Sequence, residues 1–229
     1  MHGTDITNIK DRKDANARTS AVTIQKWGGL ASFLLAVSYI VAPLIYLVGD
    51  LRAAFGPFAY DLADLLYGPV WATSLVTAVY ALRERIGVSA PRRMTLALIA
   101  AFVTAGMMVS VAFIRSANRH YHLLHPELNL DMSTLVLVVW TTLIAGLIAT
   151  GWFFLGWVQL LIGSAGWTSR RLPRVLSALY LVGGAAALFV YLQSELEGLV
   201  VALGVVVSIW QGILLWRAEA IEPQAPEQI

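Results

Sequence analysis

The residues that could do chemistry crowd into one stretch, residues 115–131, which reads RSANRHYHLLHPELNLD. It holds His120, His122 and His125, three of the chain's 4 histidines, with Glu127 and Asp131 just beyond. Imidazole and carboxylate groups are good ligands for zinc and similar ions. A metal with an open position activates water. A divalent metal held by His120, His122, His125, Glu127 and Asp131 is therefore one reading of this loop. Its spacing favours a plainer one. Zinc motifs set two histidines four apart around a glutamate, or fix histidine pairs with distant cysteines or carboxylates. H-x-H-x-x-H-P does neither, and His120 and His122 point to different sides of a helix. The expectation is an interfacial helix cap with no resident cofactor.

The same stretch carries a second pattern. Arg115, Asn118, Arg119 and His122 fall at i, i+3, i+4 and i+7, which is one face of a helix. That face suits pairing with Asp61 or Asp64, or with Glu195 or Glu197. It also suits an anionic headgroup or a small anion. Asp61 and Asp64 are three apart and share a face if their helix begins early. Arg115, Asn118, Arg119, His122, Asp61 and Asp64 are therefore the ligand- or headgroup-binding candidates. Catalytic residues stay unassigned, because no complete catalytic motif is present. With 0 cysteines, disulfides, thiolate metal sites and cysteine nucleophiles are excluded. The apolar runs contain no histidine, which argues against haem held between helices.

The elements that must position these residues are set by composition. The chain of 229 residues is 58% hydrophobic and 13% charged, with mean hydropathy +0.70. Soluble domains are about 25% charged. The charges sit in short clusters between apolar runs, the pattern of transmembrane helices. Six spans are expected, at 27–48, 65–82, 94–114, 133–162, 175–193 and 198–216. The first is too long for a signal-peptide core and is expected to stay as an anchor. The third is expected to run on as helix towards His122, since no breaker precedes Pro126. Residues 50–64 read as a short aromatic structure in the membrane interface. Residues 163–169 read as a turn. Domain organisation is then a polar cytoplasmic tail over 1–26, an all-α six-helix membrane domain over 27–216 and a disordered cytoplasmic tail over 217–229.

Charge placement orients the bundle. Lys10, Arg12, Lys13, Arg18, Lys26, Arg83, Arg85, Arg92, Arg93, Arg170, Arg171, Arg174 and Arg217 fall on one side, and Arg52, Arg115 and Arg119 on the other. Thirteen against three puts both termini in the cytoplasm. The net charge of +2 therefore reads as a topology signal and not as nucleic-acid binding. The opposite face is acidic, with Asp50, Asp61, Asp64, Glu127, Asp131, Glu195 and Glu197, and it carries the histidines. Within the spans, polar groups such as Gln159 and Gln211 read as bonds between helices.

Residues 156–184, with Ser169-Arg-Arg-Leu-Pro-Arg-Val-Leu176 ahead of Gly183, resemble a family of uncharacterised bacterial multispan membrane proteins. There a Ser-x-x-Leu-Pro-Arg-x-Leu turn opens a late span that contains a glycine. The resemblance implies a bacterial inner membrane, and it assigns no particular activity. The leading expectation is a binding or accessory membrane subunit, more a non-enzyme than an enzyme, acting through its non-cytoplasmic face. Its expected partners are the lipid bilayer and further copies or other membrane subunits. The alternatives are a metal-dependent enzyme acting on a lipid or lipid-linked substrate, and a small-molecule or ion transporter.

Overall fold

Long apolar stretches without breakers form long helices, and here they account for the whole architecture. The computed structural model describes residues 4–124 and 134–217, and every regular element there is helical. The α-helices are α1 Thr4–Leu47, α2 Gly49–Phe55, α3 Ala59–Leu65, α4 Trp71–Ile86, α5 Pro91–Leu124, α6 Thr134–Ser169, α7 Arg174–Phe189 and α8 Leu196–Trp216. Five helical segments among the described residues are long and apolar enough to cross a membrane. They are Thr19–Leu47, Ala59–Ile86, Pro91–His120, Val138–Ser169 and Leu196–Trp216. Helices suit that setting because they satisfy their own backbone groups where water is absent. α7, with 16 residues, is shorter. The span expected at 175–193 stops early because the chain turns after Phe189, whose carbonyl accepts the amides of Leu192 and Gln193.

Several boundaries differ from those expected. α1 starts at Thr4 and not near Trp27, and its membrane-suited part starts at Thr19. Polar side chains do not break a helix, and no glycine or proline lies between Thr4 and Gly28. Residues 163–169 are helical and close α6. Gly163 and Gly166 serve packing there, since a Cβ on Gly163 would lie 2.9 Å from the Ser177 carbonyl oxygen. The break falls instead at Arg170, whose φ is 54°. Pro173 stands just outside α7 as its N-cap. α5 does run on past Arg115, to Leu124.

The path into the second span is what positions the site. Gly56, at φ 62°, ends α2 in a conformation that L side chains rarely adopt. Pro57 then opens a one-turn 3-10 helix, and α3 follows. Residues Leu66–Val70 form a π turn around Pro69. Proline has no N–H for the α-helical bond, so the helix widens there without ending. α3, the π turn and α4 therefore form one continuous segment, and residues 59–64 belong to a span instead of a separate interfacial piece.

The long helices pack in chain order as a closed ring: α1 on α4, α4 on α5, α5 on α6, α6 on α7, α7 on α8, and α8 back on α1. Trp71, Trp152, Leu82, Met94, Leu176 and Leu215 fill the interior. α6 and α7 meet backbone to backbone. A Cβ on Gly156 would lie 2.9 Å from the Gly184 oxygen, and one on Gly184 would lie 2.8 Å from the Gly156 oxygen. Small residues allow such close approach between helices. A cavity of about 30 Å³ sits in the ring, lined in part by Tyr39, Gln159, Tyr180, Ser208 and Gln211. It has room for about two waters. The Tyr180 hydroxyl donates to Gln211 Oε1, and Gln211 Nε2 donates to the Ala78 carbonyl at 3.4 Å. Gln211 thus joins α7, α8 and α4. Gln159 Oε1 is buried with no hydrogen-bond partner among the described residues.

Candidate functional site

One end of the ring carries a cluster of charges built from three helices. α1 brings Tyr46, α3 brings Asp61 and Asp64, and α5 brings Arg115, Ser116, Arg119 and His120. The spacing of three in α3 sets both carboxylates on the side that meets α5. The spacing of four in α5 stacks Arg115 below Arg119 on the answering face. Gly68, in the π turn, brings the two segments close, since a Cβ there would lie 2.3 Å from the Ala112 Cβ. Beneath the charges, Ile45, Ala59 and Ala63 form a small buried apolar cluster.

Arg119 is the centre of the geometry. Its Nη2 donates to Asp61 Oδ1 at 2.7 Å and to Asp64 Oδ2 at 2.5 Å. The Asp64 side chain is only 5% exposed, against 27% for Arg119. Tyr46 donates its hydroxyl to Asp64 Oδ1 at 2.5 Å, and Arg115 Nη1 stands 3.9 Å from the same oxygen. Ser116 donates to Asp61 Oδ1 at 3.1 Å. The Arg119 guanidinium also lies over the Tyr60 ring, 5.8 Å from its centroid, and Tyr60 packs against Tyr46. Each Asp64 oxygen therefore has a donor, and a guanidinium bridges the two carboxylates. Buried charges persist only when paired and hydrogen-bonded in this way.

His120 stands at the edge of this cluster, 55% exposed, with Nε2 3.9 Å from Asp61 Oδ2. Its Nδ1 lies 2.9 Å from the Ser116 carbonyl oxygen. A carbonyl only accepts, so Nδ1 is the donor in this contact, and Nε2 is the ring nitrogen nearer the Asp61 carboxylate.

Of the sequence candidates, the structure brings Asp61, Asp64, Arg115 and Arg119 together. Asn118 lies half-buried on the same helix. His122 lies in α5. His125, Glu127 and Asp131 fall outside the described residues. Among the described residues, no three His, Asp or Glu side chains converge as a metal group. The cluster pairs with Asp61 and Asp64, and among the described ion pairs none involves Glu195 or Glu197.

Sequence reading missed Tyr46, Tyr60 and Ser116. Ser116 was findable, one turn before His120 and three residues before Arg119. Tyr46 was not, because its partner lies 18 residues away across a break in the helix. Comparison of the chain with protein-family models, with curated proteins and with solved structures finds no match.

Proposed function

We propose that this chain is a six-span protein of a bacterial cytoplasmic membrane, with both termini in the cytoplasm. It acts as a binding or accessory subunit through the face that carries Asp61, Asp64 and Arg119. The span count rests on α7 crossing together with the five longer segments, and the orientation on thirteen cationic residues against three. The observation that carries the function is the state of the carboxylates. A general base or metal ligand needs an oxygen left available to its substrate or ion. Asp64, the buried carboxylate, instead gives both oxygens to Tyr46 and Arg119, while Asp61 gives Oδ1 to Arg119 and Ser116 and keeps Oδ2 3.9 Å from His120 Nε2. Such a cluster fixes the ends of α1, α3 and α5 and presents a preorganised rim, which lowers the entropic cost of docking.

The test uses the absence of native cysteine. Ala117 is exposed on α5, at the same level as the cluster. A photo-cross-linker on Ala117→Cys, activated in intact membranes, is expected to give one discrete protein adduct. Arg119→Ala in the same chain is expected to remove it while the helical spectrum is retained. Adducts to lipid alone, or an adduct indifferent to Arg119, would overturn the reading.

A further inference from the structure

A guanidinium group removed from water needs something to answer its charge. At the end of the ring opposite the carboxylate cluster, Arg85 lacks such a partner among the described residues. It lies in the last turn of α4 and is half-buried. Its Nε and Nη1 are shut off from solvent, and neither has a hydrogen-bond partner among the described residues. The ion pairs among the described residues all belong to the other end. Burial weighs most on Arg85, and a like charge adds to it from Arg171, half-buried in the turn between α6 and α7. Arg93, at the same end, differs. It donates to the Ser164 carbonyl at 3.2 Å and to Thr168 Oγ1 at 3.1 Å.

α1 adds a third group. Gly28 meets Ala81 so closely that a Cβ would lie 2.1 Å from the Ala81 Cβ. From that crossing, Gln25 is about one turn along α1 and Arg85 about one turn along α4, in the same direction. Gln25 is 5% exposed, and its Oε1 is buried without a partner. With the amide turned over, an NH2 donor takes the place of that oxygen. Among the described residues no carboxylate pairs with Arg85 or Arg171, and the Gln25 amide is left unanswered.

We propose that Arg85, Arg171 and Gln25 form a seat for a phosphate group. The planar fork of arginine matches phosphate oxygens. The level fits too. Arg85 stands one residue inside the end of the span Ala59–Ile86, where lipid phosphates lie against a bilayer. A phospholipid headgroup and free phosphate share this chemistry. A competing source is the chain itself, since Glu219, Glu222 and Glu227 follow α8 at this end.

The full-length chain is delipidated in neutral detergent, and its Tm is followed as phosphatidylglycerol, phosphatidylcholine or inorganic phosphate is added. Phosphatidylglycerol is expected to raise Tm and phosphatidylcholine not. Arg85→Gln is expected to weaken the apparent affinity about tenfold, the loss of one charged hydrogen bond. Arg92→Gln, an exposed arginine at the same end, is expected to leave it unchanged. If Arg85→Gln does not fold, Arg171→Gln in the surface turn reads the same loss. An equal response to inorganic phosphate, abolished by the same variant, supports the seat and identifies free phosphate as its occupant. The proposal is overturned if no anion shifts Tm, or if both variants respond as the unsubstituted chain does. It is also overturned if the shift appears only after truncation at Arg217, because the tail's own carboxylate then fills the seat.

Discussion

At the scale of single residues, the account turns on Arg119 and the carboxylates it bridges. Arg119→Ala leaves the buried Asp64 carboxylate without its closest cationic partner. The expected cost is about 2–3 kcal/mol, towards the low end for a broken buried pair because Arg119 is partly exposed. Tyr46→Phe removes one hydrogen bond to the same carboxylate and should cost about 1–2 kcal/mol. Both are read by SDS-induced unfolding in mixed micelles. The double variant Arg119→Ala/Asp64→Asn should cost less than the sum of its singles by about 1 kcal/mol or more, as groups in one network do. Additive losses would show that the pair does not couple. The arginines and aspartates of this cluster were legible from helical spacing alone. Tyr46 was not, because spacing carries no information across the break at 48–58. Arg85 was legible only as one positive charge among thirteen, since a topology count does not register whether a guanidinium is solvated.

At the scale of elements, sequence fixes helices better than their ends. The span expected over 133–162 is one long helix within α6, because no charge or proline interrupts it. Its end was misread, because Gly163 and Gly166 look the same in sequence whether they make a turn or a crossing. What separates these uses is the neighbour, which only packing shows. Gly156→Ala should therefore destabilise the fold by about 1–3 kcal/mol, as overpacking does, since its Cβ would meet both Gly184 and Leu188 at 2.9 Å. Gly146→Ala, on the same helix with nothing within 4 Å, should be stabilising by up to about 1 kcal/mol. The two variants compared in one unfolding assay check the α6–α7 contact directly. Equal effects would mean that the crossing does not persist in the membrane.

At the scale of the whole molecule, the ring of helices has two unlike ends. One holds carboxylates locked by arginines, the other a surplus of arginines with one withdrawn from water. The central claim is that a bilayer separates these ends, with α7 completing a sixth crossing despite its 16 residues. Because the chain has 0 cysteines, single cysteines report topology without background. Ser89, Ala117 and Ser194 are exposed, in the α4–α5 turn, on α5 and in the α7–α8 turn. In intact cells, a membrane-impermeant maleimide should label Ala117→Cys and Ser194→Cys, and should label Ser89→Cys only after permeabilisation. Labelling of Ala117→Cys but not Ser194→Cys would contradict the sixth crossing, and labelling of Ser89→Cys in intact cells would contradict the orientation.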